Sequence, residues 1–238
     1  MIMKLRLSEM YGGFTLIILL LLMFFLQGCR LQPQAAHQGN PPVITIGKMV
    51  VVGFQPAITP GGESGPARSP ITGAVFLAEP TTRIVADRLT GRLFGKLLDT
   101  KKYRLIPPGQ ARGVFSSIIS SGSLLEDVEI AQKIGQTLSA ESVLLGYTYR
   151  WKERAGTDYA VNHPASVAFD LYLIRALDGS VLWKGKFDKT QQSLSENLFD
   201  MGTFLKGKGK WMKAEELADL GLESFLSKFP KESGVRED

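Results

Sequence analysis

The chain has 238 residues, a net charge of +5, a hydrophobic fraction of 44% and one cysteine. This length is enough for one well-packed core, and the modest, dispersed charge argues against nucleic-acid binding. With one cysteine and only His37 and His163, the chain has few residues for a zinc site or a Cys/His catalytic pair. We therefore predict no metal and no cofactor.

An apolar run near the amino terminus ends close to the single cysteine. Residues 14–26 are apolar, Lys4 and Arg6 precede them, and Gly28 lies directly before Cys29. The run is about half of the roughly 20 residues needed to cross a bilayer. A basic start, a short apolar run and a small residue at the break are typical of a secretory signal.

The string that ends in Cys29 resembles the lipobox of bacterial lipoproteins, although Gln27 departs from the usual small or β-branched choice. The resemblance implies cleavage between Gly28 and Cys29, loss of residues 1–28, and palmitate on the cysteine. The alternatives are an incidental cysteine after a plain secretory signal and an uncleaved membrane anchor. Because Arg30 is not the aspartate associated with inner-membrane retention, the resemblance implies the periplasmic face of the outer membrane in a Gram-negative source.

The rest of the chain divides by composition. We predict that Cys29 and the polar, proline-bearing residues 30–42 form a lipidated, flexible tether. An adaptor domain is predicted over residues 43–229, followed by a polar tail at 230–238. Inside the domain, residues 55–80 are rich in Gly and Pro and predict a long loop that contributes nothing to the core.

Hydrophobic periodicity predicts an alternation of strands and helices at the start of the domain. Thr81 or Thr82 is placed to cap the first helix. The order strand, helix, strand, helix, strand predicts a layered α/β domain with a mixed sheet and crossover helices. The segments are a strand at 43–54, a helix at 81–100, a strand at 103–107, a helix at 124–140 and a strand at 141–151.

The last part of the domain predicts an antiparallel hairpin and a terminal helix. Two alternating runs within 166–190 meet at Asp178-Gly179, a strong signal for a tight turn. A two-residue loop would pair Ile174 with Trp183, whereas a bulged turn would shift this register, and the sequence leaves both open. The terminal helix has an inner face made of Ala214, Leu217, Ala218, Leu222, Phe225 and Phe229.

No combination of residues indicates catalysis. His163 has Ser166 and Asp170 nearby in sequence, but nothing in the pattern brings the three together as a triad. The basic run at 206–210 lacks the glycine spacing of a phosphate-binding loop and predicts a solvated loop. We therefore predict that the protein is not an enzyme and has no catalytic residues.

Two tryptophans are candidate partner contacts. Trp151 and Trp211 lie beside charged residues at the ends of predicted elements. Tryptophan is enriched in binding hot spots, and packing at the edge of the core is the alternative. Trp183, in the middle of the hairpin, is predicted to be a core residue.

Four segments in order resemble a group of bacterial envelope proteins. They are the opening strand "KMVVVGF", the step "AQKIGQTLSAESVLLG" at 131–146, the Asp178-Gly179 turn with "SVLWKGKF", and the terminal helix. The group includes the curli secretion-channel lipoproteins, the lipoprotein activators of penicillin-binding proteins and the amino-terminal domain of the Tol-system β-propeller protein. The resemblance implies a non-catalytic α/β adaptor that binds envelope proteins such as a peptidoglycan synthase or secretion components.

One departure from this group bears on mechanism. The curli lipoproteins build a pore from two long hairpins, whereas only one hairpin is evident here, and its strands carry charged residues such as Asp170 and Lys186. We therefore predict no pore. The alternatives to a docking partner are a ring-forming homo-oligomeric subunit of an export complex and an enzyme of envelope polymers.

Overall fold

The computed structural model describes residues 46–120, 122, 125–192 and 210–230. The chain divides into two units, Met1–Pro42 and Val43–Asp238, and the described elements all belong to the second. The lipobox with Gly28 and Cys29, the tether and the tail at 231–238 lie outside the described residues, as does most of the basic run at 206–210. Their assignments stay predictions.

The described residues form nine strands and four helices. In chain order the elements are β1 Lys48–Pro56, β2 Gly65–Arg68, β3 Val75–Ala78, α1 Arg83–Thr100, β4 Arg104–Ile106, α2 Pro108–Ser120, α3 Asp127–Thr137, β5 Ser142–Lys152, β6 Ala155–Gly156, β7 Val161–His163, β8 Ser166–Arg175, β9 Val181–Thr190 and α4 Ala214–Lys228. No helix in this part of the chain is long and apolar enough to span a membrane.

A five-stranded sheet with the order β4-β1-β5-β8-β9 forms the centre of the domain. β1 is parallel to both β4 and β5, while β8 is antiparallel to β5 and β9. The predicted fold class is confirmed: α/β, with a mixed sheet, crossover helices, a late antiparallel hairpin and a C-terminal helix. We call the end of the sheet at which β1 begins the proximal end and the end at which it finishes the distal end.

Hydrophobic side chains cover both faces of the sheet. α1 and α4 pack on one face, around a cluster that includes Leu93, Phe169 and Phe225. α2, α3 and the β2–β3 hairpin cover the other face, around Phe76, Ile134 and Tyr149. Because both faces are covered, the central strands are buried along nearly their whole length, as their continuous apolar runs predict.

Helices α1 and α4 lie side by side and run in the same direction. A row of ion pairs joins them at a constant sequence separation of 127 residues. Equal steps along both helices are possible only if the two helices are parallel. The pairs are Arg88–Glu215 at 3.0 Å, Arg92–Asp219 at 2.9 Å and Lys96–Glu223 at 3.1 Å.

The segment 55–80 differs from its prediction. It contains β2 and β3, an antiparallel pair, and both Phe76 and Ala78 are buried. The Gly and Pro content marks the turns of this segment, while the short run "VFLA" alternates between buried and exposed side chains. The prediction of a loop without core residues was therefore wrong.

The hairpin between β8 and β9 has the bulged register. Leu173 pairs with Trp183 and Ile174 with Val181, so the register of a two-residue loop does not occur. Gly179 has a φ of 74°, the left-handed conformation that a glycine at this turn was expected to supply. The six residues predicted for the inner face of the terminal helix are all buried.

Candidate functional site

A cleft of about 500 Å³ opens at the distal end of the sheet. Its walls come from the β2–β3 hairpin, the end of β5, the β7–β8 connection and the end of β9. The residues that line it are Leu77, Glu79, Arg150, Lys152, His163, Pro164, Ser166, Asp188 and Thr190.

The guanidinium of Arg150 lies at the floor of the cleft. A β-bulge between Thr148 and Arg150 interrupts the pairing of β5 with β8 next to this residue. Arg150 is only 7% exposed. Its Nε donates to Ser166 Oγ at 2.7 Å, its Nη1 to the carbonyl of Leu77 at 2.7 Å, and its Nη2 to Asp188 Oδ1 at 2.5 Å. Arg150 thus joins three elements, and its charge is neutralised inside the protein.

The rim of the cleft combines a second ion pair with an apolar side chain. Lys152 Nζ lies 2.5 Å from Glu79 Oε1, and more than half of the lysine side chain is exposed. Leu77 is 62% exposed, and His163 is also exposed. Because two carboxylates balance its two cations, the cleft is not a strong binding site for anions. It suits a partner segment that places an apolar side chain against Leu77 and polar groups beside Lys152.

A buried polar network holds the hairpin in place beneath this rim. Asp170 is 1% exposed, and its Oδ2 accepts hydrogen bonds from Tyr172 Oη at 2.6 Å and Tyr149 Oη at 2.8 Å. Tyr172 Oη also lies 2.7 Å from Ser69 Oγ and 2.9 Å from Thr72 Oγ1, both in the 55–80 segment. Side chains of β5 and β8 are thereby connected to the β2–β3 turn.

Burial raises the pKa of Asp170 above its usual range, although hydrogen bonds from Tyr172 and Tyr149 oppose the shift. Burial, with Asp170 close by, also raises the pKa of Tyr172 to about 12. The hydroxyl of Tyr172 therefore stays protonated at neutral pH and can donate. Because Asp170, Ser69 and Tyr172 are all buried beneath the hairpin, the network serves to attach the 55–80 segment to the sheet.

An aromatic stack adds a second attachment. The ring of Phe76 lies 3.8 Å from that of Tyr149, centroid to centroid, with an angle of 6° between their planes. Lys186 Nζ lies 4.3 Å from the centroid of Phe76 and donates to the carbonyl of Val75 at 3.1 Å. Phe76 therefore fixes β3 against the central sheet, while the side chain of its neighbour Leu77 points to solvent. The hairpin presents Leu77 on a fixed support.

The two tryptophans predicted as partner contacts also lie towards the distal end, but neither lines the cleft. Trp151 is half-buried against the cluster beneath α4, and its Nε1 donates to Glu153 Oε1 at 2.9 Å. Trp211 is half-buried, and its backbone N–H donates to the carbonyl of Asp158 at 2.8 Å. Their role in binding stays a prediction.

The structure does not bring His163, Ser166 and Asp170 together. His163 is exposed and Ser166 is bonded to Arg150, while Asp170 faces two tyrosines. In the part of the chain that the structure describes, no three His, Cys, Asp or Glu side chains form a group that could hold a metal ion.

No family model matches the chain, and no curated protein matches it in sequence. Solved structures do resemble it. The LpoB C-terminal domain from Salmonella enterica is 16% identical over 63% of this chain and 87% of its own, with a TM-score of 0.38. Lipoprotein GNA1162 from Neisseria meningitidis is 15% identical over 67% and 92%, also with a TM-score of 0.38. The PelC dodecamer from Paraburkholderia phytofirmans is 15% identical over 78% and 89%, with a TM-score of 0.38.

Sequence reasoning missed the residues of the cleft. The run "VFLA" is apolar throughout, so its sequence indicates a strand but does not distinguish the buried Phe76 from the exposed Leu77. The position of Arg150 was not predictable either. It follows a β-bulge in β5, and strict alternation of side chains along a strand does not anticipate a bulge.

Proposed function

We propose that this chain is a lipid-anchored protein of the cell envelope that docks, without catalysing a reaction, onto another envelope protein through the distal cleft. The anchor is Cys29, acylated after removal of residues 1–28, at the periplasmic face of the outer membrane. The partner is a periplasmic domain of a peptidoglycan synthase, which supplies an apolar side chain flanked by a polar hydrogen-bond acceptor.

The observation that carries this proposal is the rigidly supported Leu77. A leucine that is 62% exposed, on a strand whose neighbour Phe76 is stacked on Tyr149, provides an apolar contact with little conformational entropy left to lose. Lys152, more than half exposed beside it and paired with Glu79, provides N–H groups that can donate to a polar group of the partner. The charged floor at Arg150 is already satisfied, so a partner does not have to compensate for it.

A photo-crosslinking residue at position 77 of the lipidated chain, in cells, tests the proposal. The matched control carries the photo-crosslinking residue in place of Ile119, which is 51% exposed on α2 and lies outside the cleft. We expect position 77 to crosslink a peptidoglycan synthase and position 119 not to do so. Equal crosslinking at both positions, or none at position 77, would contradict docking at the cleft.

The anchor is tested separately by palmitate labelling. Labelling should be lost in Cys29→Ala. If label persists in that variant, the lipid is not on this cysteine, whatever the crosslinking shows.

A ring-forming export subunit is the second candidate, and it has one observation in its favour. Among the described strands, β9 and β4 each pair on one side only, so they are the edge strands of the described sheet, and edge strands are where sheets of two chains can join. However, Lys184 and Lys186 project from β9, and lysines on an edge strand discourage strand-to-strand association. Crosslinking of position 77 to a second copy, with a large species in light scattering, would favour the ring.

A further inference from the structure

We infer that the proximal end of the domain binds the anionic headgroups of the membrane in which the chain is anchored, so that the distal cleft faces away from the lipid. This inference rests on the proposed anchor at Cys29. It concerns a surface other than the cleft, formed by Lys101, Lys102, Arg104 and Lys228, which we call the proximal basic patch.

The helix pair brings these four cations to one end of the domain. Lys101 follows α1 directly and Lys228 ends α4, and the two residues are separated by the same 127 positions as the ion-paired residues of the two helices. Tyr103 Oη donates to the carbonyl of Pro230 at 2.9 Å, which continues this alignment beyond the helices. Arg104 begins β4 and pairs with Lys48, the first residue of β1.

All four side chains are exposed, and within the described residues none of them forms an ion pair. Among the residues that the structure describes, two carboxylates lie nearby. Asp99 is exposed in the last turn of α1, and the carboxylate of Glu141 accepts a hydrogen bond from the backbone N–H of Lys48 at 2.6 Å. The cations outnumber them. Lysines at helix C-termini also offset the helix dipole, but Lys102 and Arg104 lie outside the helices and have no such role.

The course of the chain identifies the partner of this patch. The predicted tether leads into the domain just before β1, and β1 begins at the proximal end. A flexible tether of the predicted extent, residues 30–42, has a root-mean-square length of about 18–22 Å. An acylated Cys29 therefore keeps the proximal end close to the headgroups. Phosphatidylglycerol-type headgroups are anionic, and each basic residue near such a surface strengthens binding about fivefold.

An apolar side chain beside the patch provides a place for a probe. Leu98 is 50% exposed in the last turn of α1, three residues before Lys101. The chain has one cysteine, which acylation would block, so Leu98→Cys creates a single free thiol. Leu77→Cys, at the distal cleft, is the matched control because it is similarly exposed.

The experiment uses the full lipidated chain in vesicles of phosphatidylethanolamine mixed with phosphatidylglycerol, which supplies the anionic headgroups. A donor dye on the thiol transfers energy to acceptor-labelled headgroups. We expect transfer from position 98 to exceed transfer from position 77. This difference should become much smaller in high salt, in neutral vesicles, and in the double variant Lys102→Gln/Arg104→Gln. In the double variant, the ratio of chains with the patch on the headgroups to chains with the patch released should fall about 25-fold.

Equal transfer from both positions would overturn the inference, as would a difference that ignores salt, lipid charge and the double substitution. If Cys29 carries no lipid, the proposed anchor fails. The same measurement on a Cys29→Ser chain added to the vesicles from solution then still tests the patch, because binding through it needs anionic headgroups and low salt. Crosslinking at position 77 detects the protein partner of the cleft and not the lipid, so failure of the docking proposal is separately visible.

Discussion

Replacement of Phe76 by alanine should detach the hairpin that supports the candidate site. Phe76 is 1% exposed and stacks on Tyr149. Truncating a buried phenylalanine costs about 3–5 kcal/mol of unfolding free energy, through lost burial and the cavity that remains. The aromatic stack and the ammonium of Lys186 over the ring place the expected loss towards the upper part of this range.

The matched control for this substitution is the next residue. Leu77→Ala removes a side chain that is 62% exposed, and it should change stability by no more than about 0.5 kcal/mol. Urea unfolding monitored by circular dichroism measures both variants. Hydrogen exchange of residues 65–78 then distinguishes local detachment, in which only the hairpin loses protection, from a uniform loss of stability.

The reasoning would be refuted by either of two results. One is a loss below about 1 kcal/mol in Phe76→Ala with unchanged exchange in the hairpin, since a buried, stacked ring should contribute several times more. The other is an equal loss of stability in Phe76→Ala and Leu77→Ala. The two residues are neighbours in sequence but differ in burial, and the buried ring should contribute far more to stability. In either case the 55–80 segment would not depend on the aromatic anchor.

Three further predictions concern stability. The pKa of Asp170 is raised in the folded state, so protonation of this carboxyl stabilises the fold below its ordinary pKa of about 4. This stabilisation is lost as the pH rises through the pKa of Asp170 in the folded state. Asp170→Asn should remove the resulting pH dependence from unfolding free energies measured between pH 3 and 7. Gly91→Ala, in open space on α1, should stabilise the domain by about 0.5–1 kcal/mol in urea unfolding, and a loss would indicate hidden crowding. Arg92→Asp should cost about 1 kcal/mol of unfolding free energy, and adding Asp219→Arg should restore part of it in a double-mutant cycle. Simple additivity would show that this ion pair contributes no coupling energy.

The framework of the fold follows from local signals. Periodic apolar stripes located α1, α3 and α4, and Thr82 proved to be the cap of α1, with its side chain accepting from the N–H of Val85. Thr81 is buried instead and donates to the carbonyl of Thr148. The sequence could not distinguish these two threonines because the choice depends on a contact with a distant strand.

The missed elements have a common cause: Gly and Pro favour irregular structure in a sequence, but here they lie in turns and at a helix start. Pro108 directly follows the predicted strand at 103–107 and is the first residue of α2, a position where its missing N–H is not needed. The glycines and prolines of 55–80 similarly hid a hairpin whose core residue is Phe76. The buried Asp170 network was not predictable either, since it joins residues about 100 positions apart in sequence.

The arrangement of the sheet limits where a partner can meet the protein. β5 has 11 residues, so the distal cleft lies roughly 35 Å farther along the strands than the proximal basic patch. With the patch on the headgroups, a partner must present its docking segment at about that height above the lipid. With the domain released from the lipid, the tether adds about 20 Å of reach but no orientation. Docking that weakens when Lys102 and Arg104 are neutralised would therefore show that orientation at the membrane, and not reach, governs the encounter.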